Sequence, residues 1–244
     1  MNLLAIETST DGLGVALVDD TRVLASSELL AERAHATELP GALTNVLKSA
    51  SRTLAQIDAF AVDVGPGAFT GLRIGVAFVK ALVFRLRRPV IGVASLDVLA
   101  AALPYAAHLV CPILDAKQKK IYAACYDTRD GTPRKRSDYQ LLTVDAWLAT
   151  LPPEPAILLG SGAALYCEAI TKALGPRALF APRDLWLPRA ATLGRLGLER
   201  LRAGQYDDPS TLVPMYLYPM DCTVRAHERA AGALPIEPSA SPRG

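Results

Sequence analysis

Apolar residues in this chain come in short runs separated by polar turns, and the runs alternate between strand and helix spacing. Leu3 to Ile6 is strand-like and ends in Glu7-Thr8-Ser9-Thr10-Asp11-Gly12, a polar cluster closing on an Asp-Gly pair. Gly14 to Val18 predicts a returning strand, Asp19-Asp20 a second turn, and Arg22 to Glu28 a third strand. A helix follows with Leu39, Leu43, Val46, Leu47 and Ala50 on one face, Thr37 as its cap and Pro40 in its first turn. Ala59 to Val64 predicts a buried strand, Thr70 caps a helix to about Arg85, Val90 to Ala94 is a further strand, and Ser95 caps a helix to about Leu103.

The second half repeats this order. Leu109 to Asp115, the turn Ala116 to Lys119, and Ile121 to Asp127 predict a hairpin whose first strand ends in an acid, as the first strand of the chain ends in Glu7. A weak strand at Tyr139 to Leu142 precedes a helix capped by Thr143. Strand Ala156 to Leu159, helix Ala163 to Leu174, strand Ala178 to Ala181 and helix Ala190 to Arg202 complete the series. Two copies of a three-stranded antiparallel unit extended by strand-helix units suggest an α/β chain of two lobes with a duplicated ribonuclease-H-like fold. This is the actin-like (ASKHA) architecture of actin, sugar kinases and Hsp70 ATPase domains, with a cleft between the copies. The lobes are expected at residues 1–103 and 104–231, with a disordered Pro-, Ser- and Ala-rich tail at 232–244.

Composition narrows the class without naming a chemistry. The 244 residues are 51% apolar and 20% charged with a net charge of +2, so the chain can bury a real core and carries no overall basic excess for nucleic acid. No apolar stretch approaches the roughly 20 residues that span a bilayer. The cysteines at 111, 125, 167 and 222 fit no zinc ladder and read as reduced core thiols of a cytoplasmic protein.

The most informative segment is the glycine loop from Val62 to Gly75. Gly65-Pro66-Gly67-Ala68-Phe69-Thr70-Gly71 leads from a strand into a helix and could hold an anion on backbone N–H groups. It is neither a Walker A loop, lacking the Lys-Ser/Thr, nor a dinucleotide fingerprint, because Thr70 stands where the third glycine belongs. The alternative is a tight turn with close packing, since Gly71 and Gly75 share a helix face.

G-P-G-A-F-T-G-L-R-I-G at 65–75, with L-A-I-E-T-S at 4–9, R-A-H at 33–35, V-I-G-V-A-S-L-D at 90–97 and D-A-K at 115–117 before Ile121-Tyr122, resembles the TsaB (YeaZ) family. The likeness is carried by residues 1–126. It implies a non-catalytic relative of TsaD that, with TsaD and the ATPase TsaE, makes threonylcarbamoyladenosine beside the anticodon of tRNAs reading A-starting codons. TsaC, a separate enzyme, supplies the threonylcarbamoyl-adenylate. The implied role is a scaffold that binds and activates TsaD, forming a homodimer when alone, with tRNA reached only through the complex. No cofactor of its own is expected, and a nucleotide at the partner interface is left open. TsaD carries an H-x-E-x-H metal site where this chain reads Ser95-Leu96-Asp97-Val98-Leu99, so both imidazoles are missing.

The resemblance also places single residues. Glu7, with Thr8 and Ser9, stands where actin-like ATPases keep an acid near the nucleotide phosphates, although a carboxylate followed by three hydroxyls also caps a turn. Many relatives carry Asp there, and Glu in place of Lys120. His35 is expected to hydrogen-bond at a helix entry. Arg73, a cation in a helix's first turn, needs a partner, and we expect a carboxylate across a subunit contact. The implied partner surface is the pair of helices at about 37–50 and 70–85, with Ile74, Phe78 and Leu82 as an apolar seam that could equally face its own sheet. Lys117, Lys119, Lys120 and Arg134-Lys135-Arg136 read as solvated turn charges. Two other classes remain: an ATP-using or peptide-cleaving enzyme with an interlobe site, and a tRNA-binding module with steep salt dependence.

Overall fold

The computed structural model describes residues 1–31 and 34–218, so Arg33, the tail at 232–244 and the Asp221 to Arg225 segment lie outside the described residues. Strands β1 (Leu3–Glu7), β2 (Gly12–Val18) and β3 (Val23–Leu30) form an antiparallel meander, followed by helix α1 (His35–Ser49). Then come β4 (Ala59–Gly65), α2 (Phe69–Leu86), β5 (Val90–Ala94) and α3 (Ser95–Ala101). The sheet order is β3-β2-β1-β4-β5, with β1, β4 and β5 parallel.

The second series is β6 (Leu109–Asp115), β7 (Lys120–Ala123), β8 (Tyr126–Asp127), β9 (Arg134–Lys135) and β10 (Gln140–Thr143). It continues through α4 (Val144–Leu148), β11 (Ala156–Leu159), α5 (Ser161–Leu165), α6 (Cys167–Leu174), β12 (Ala178–Phe180) and α7 (Ala190–Arg202). Its sheet runs β10-β7-β6-β11-β12, the same order and direction pattern as the first. The duplicated ribonuclease-H-like fold is therefore present in both lobes.

Strand period 2 explains the first lobe's layers. Leu4 and Ile6 of β1 turn to Leu39, Val76 and Val79 of α1 and α2, while Leu3 and Ala5 turn to Val98 of α3 and Leu193 of α7. With helices on both faces, β1, β4 and β5 are buried throughout, as parallel strands require. The sequence order places α7 with residues 104–231, but its apolar stripe packs on the first sheet instead. Gly194 and Gly197 allow the approach, because a Cβ there would lie 2.9 Å from Val18 and 2.8 Å from Ala61. Glu28 of β3 fixes the helix start by accepting the Ala190 N–H at 3.0 Å.

Helix starts differ from expectation at three places. Thr37, Thr70 and Ser95 cap nothing: Thr37 Oγ1 donates back to Ala34 O, α2 starts at Phe69, and Ser95 Oγ donates to Asp63. Thr143 does cap α4, accepting from Ala146 N at 3.3 Å. The helix expected at 163–174 is two, broken where Tyr166 leaves helical geometry at φ −110°, ψ 20°.

Candidate functional site

The ends of β1 and β6 face one another across the lobes, and the chemistry begins with what their acids do. Glu7 is 1% exposed, and its Oε1 accepts both the backbone N–H and the hydroxyl of Ser9 at 2.6 Å. On the parallel neighbour, Ile6 pairs with Val62, so Glu7 comes beside the equally buried Asp63. Asp63 Oδ1 accepts from Ser95 Oγ at 2.6 Å and Gly65 N at 2.7 Å. The remaining oxygens, Glu7 Oε2 and Asp63 Oδ2, are buried and meet no donor from any third residue, so a proton on Glu7 is what can join the two acids. Burial pushes Glu7 well above the usual carboxylate range, and the adjacent Asp63 pushes it further; burial raises Asp63 too. Glu7 is thus biased toward its protonated form and closes a turn inside the lobe, while the cleft wall is built by Ser9, Thr10 and Asp11.

A proton bound in the folded state and released on unfolding makes stability fall as pH rises above the ordinary value of 4.5, because the native state then binds more protons than the unfolded one. Glu7→Gln keeps an acceptor for Ser9 and gives Asp63 a donor. It is expected to be more stable than the parent at pH 8 by about 1–3 kcal/mol, with the gap closing near pH 4.5. Urea unfolding at the two pH values checks this, and parallel stability curves would show Glu7 to be ionised.

The glycine loop packs on the same turn. A Cβ at Gly67 would lie 2.1 Å from Ser9 O, one at Gly71 2.1 Å from Thr8 O, and one at Gly75 2.2 Å from Thr8 Oγ1. Pro66 follows Gly65 through a cis bond, Thr70 is exposed, and the Ala68 N–H at the mouth of α2 is used by Ser9 O at 2.7 Å. His35, the first residue of α1, directs Nε2 to Thr10 O at 3.0 Å and Gly12 O at 3.2 Å. Both partners are carbonyls, so Nε2 carries the hydrogen and the ring pins the turn to the helix entry.

Arg73 finds partners within its own chain. Its guanidinium lies 4.3 Å from the centre of the Phe69 ring, and Nε reaches Tyr216 OH at 3.3 Å. The Phe69 face and the Tyr216 hydroxyl offset the poor placement of a cation at a helix start. Ile74, Phe78 and Leu82 are half-buried against the first core. Beside them Ala77 and Ala81 are exposed, and Phe84 is 88% exposed, giving α2 an apolar outer face.

The interlobe cleft is small and partly filled by the chain itself. Met215 N donates to Val64 O at 2.6 Å, and Tyr218 OH donates to Ala116 O at 3.0 Å, so this segment crosses from one lobe to the other. What remains is about 180 Å³, below the roughly 300–1,000 Å³ of ordinary small-molecule sites. Several basic side chains expected to be simply solvated have partners. Lys117 meets Asp115 at 2.6 Å, Arg134 meets Asp130 at 2.5 Å, and Lys120 and Lys135 lie over the rings of Tyr218 and Tyr139.

One cluster has no counterpart in the sequence reading. Asp97 Oδ1 accepts Tyr126 OH at 2.6 Å, and Tyr139 OH reaches both Asp97 oxygens at 2.8 and 2.9 Å. Burial and the carboxylate raise both phenols above their ordinary range. In this stretch Ser95 serves Asp63, Asp97 ties α3 to the second lobe, and Leu96 and Leu99 are buried. Among the described residues no three His, Cys, Asp or Glu side chains group as a metal site, and no helix is long and apolar enough to cross a membrane.

Comparison with known proteins places this geometry. The family described as "TsaD: tRNA N6-adenosine threonylcarbamoyltransferase" matches residues 29–221. The tRNA threonylcarbamoyladenosine biosynthesis protein TsaB of Bacillus subtilis is 31% identical over 219 residues, covering 89% of this chain and 94% of that protein. The structure described as YeaZ from Pseudomonas aeruginosa superposes with a TM-score of 0.78 at 30% identity, covering 88% of this chain and 99% of that one. A second Pseudomonas aeruginosa structure, described as uncharacterized with similarity to peptidase YEAZ, gives a TM-score of 0.79 at 29% identity over 89% and 99%.

Proposed function

The chain belongs to the TsaB (YeaZ) family, and from that membership we propose that it serves tRNA threonylcarbamoyladenosine biosynthesis as a cytoplasmic partner-binding subunit that makes no bond itself. Its partner is the catalytic relative TsaD, with the ATPase TsaE completing the set. The observation that carries this reading is the outer face of α2, where Ala77, Ala81 and Phe84 lie exposed beside half-buried Ile74, Phe78 and Leu82. An apolar helix face of this kind suits a helix-helix contact, either with a second copy of the chain or, in exchange, with TsaD. The non-catalytic part is supported by Glu7, which is buried away from the cleft, by the strap across the cleft, and by the use of Asp97 as an interlobe tie. A partner of this kind activates only to the extent that it binds one state of TsaD better than another.

The test is threonylcarbamoyl transfer to tRNA by reconstituted TsaD and TsaE, with and without this chain, while complex formation is followed by size. Ala81→Arg and Phe84→Glu change exposed side chains and are expected to leave stability within about 0.5 kcal/mol. They should weaken the complex at least tenfold and remove the activation. An undiminished complex in both variants would move the interface off α2, and ATP or peptide turnover by the isolated chain would replace the scaffold reading with an enzyme.

A further inference from the structure

Two of the cysteines expected to be reduced core thiols face each other across the second sheet. Ile113 pairs with Ala123 and Val110 with Tyr126, so the same register sets Cys111 opposite Cys125. The backbone of Cys125 turns away from β6: its N–H goes to Ser137 Oγ at 3.0 Å, and its C=O accepts Arg136 N at 2.7 Å. Cys111 and Cys125 therefore occupy a non-hydrogen-bonded antiparallel position, where Cα atoms approach to about 4.5 Å, within the range a disulfide spans. Their sulfurs are 3.1 Å apart, so about 1 Å of movement brings them to bonding distance.

The two thiols differ in access. Cys111 is fully buried in β6, whereas Cys125 lines a cleft of about 280 Å³ walled by Arg136, Ser137 and Glu154. We propose that Cys111 and Cys125 form a reversible redox site, in which a small hydroperoxide entering this cleft oxidises Cys125 and Cys111 closes the disulfide. The Cys111 S–H donates to Cys125, which lowers Cys125 from its ordinary range, while that bond and burial hold Cys111 well above it. The thiol with access is thus also the better nucleophile.

In the first step the Cys125 thiolate attacks one peroxide oxygen. The O–O bond breaks, the leaving oxygen takes the proton released by Cys125, and Cys125 becomes a sulfenic acid. In the second, Cys111 attacks the Cys125 sulfur, the S–O bond breaks, and the hydroxyl leaves as water with the Cys111 proton. Two thiols and one hydroperoxide give one disulfide, one water and the reduced alcohol, or two waters from hydrogen peroxide. A dithiol reductant reverses the cross-link by exchange. Since Cys125 precedes Tyr126, the bond would tether the strand that ties the lobes to the middle of the second sheet.

The full chain is reduced, desalted, treated with hydrogen peroxide, alkylated and weighed. The expected product is 2 Da lighter before alkylation, takes up two alkyl groups instead of four, yields one peptide joining the Cys111 and Cys125 segments, and returns to four with dithiothreitol. A Cys167→Ala/Cys222→Ala variant, which leaves the pair untouched, should behave alike and take up none after oxidation. Cys111→Ser, which keeps a hydrogen-bond donor beside Cys125 but cannot close the disulfide, should stop at a sulfenic acid on Cys125 that dimedone traps. Four reactive thiols after peroxide, a cross-link involving Cys167 or Cys222, or irreversible oxidation with no cross-link would each overturn the assignment.

Discussion

Gly71→Val is expected to be severely destabilised, unfolding at far lower urea and temperature than the parent. Even the Cβ of alanine would sit 2.1 Å from Thr8 O, and the obstacle is a backbone carbonyl in the turn after β1 that cannot rotate away. Overpacking a core ordinarily costs about 1–3 kcal/mol when side chains can yield. Here α2 must lift from the turn that Ser9, His35 and Glu7 hold together, so a loss above about 4 kcal/mol is expected, a large share of a typical 5–15 kcal/mol. Gly41 in α1 is the matched control: a Cβ there meets nothing within 4 Å, and Gly41→Ala should gain about 0.5–1 kcal/mol from helix propensity. Urea unfolding of the two variants decides the matter. If Gly71→Val melts within about 1 kcal/mol of the parent, the close approach is wrong. The experiment also separates packing from partner binding, since the face bearing Gly71 turns toward Thr8 and away from Ala77, Ala81 and Phe84.

Asp97→Ala is the second large loss, about 2–4 kcal/mol, because it removes a charged acceptor and leaves two phenols at the lobe junction without it. Asp97→Asn, which keeps one acceptor, and Tyr126→Phe should each cost about 1–3 kcal/mol, and the double variant should cost less than their sum. The two tryptophans, Trp147 beside α6 and Trp186 beside Phe180, both report on the second lobe. With the tie cut, fluorescence and circular dichroism should stop following one transition. Coincident transitions with an unchanged midpoint would show that the lobes are held elsewhere.

Particular residues show what was legible beforehand. β6 and β11 have the expected bounds, as does α7, since runs such as Leu109 to Asp115 and the apolar stripe of 190–202 state their own period. The stripe says that α7 packs, not on what, so its return to the first sheet was invisible. A hydroxyl at a helix start does not cap where it has other work: Ser95 serves a carboxylate 32 residues away. The Asp97 tie joins residues 29 and 42 apart and leaves no local signal. The cysteine pair is different. A turn of four residues at 116–119 would set residue 111 opposite 124; the turn instead closes through Ala116 N and Lys120 O, which shifts the register by one and brings 111 opposite 125.

The return of α7 also sets an order of events during synthesis. The face of the first sheet formed by Leu3, Ala5, Ala61 and Val93 is closed by α3 and by Leu193, Leu196 and Leu198 of α7. Between the last residue of α3 and the end of α7 the ribosome must add roughly 100 residues, roughly 5–20 s at ordinary elongation rates. Throughout that interval the nascent first lobe exposes half of one core. Nascent chains arrested before Ala190 should therefore be held by chaperones, and those released after Arg202 should not.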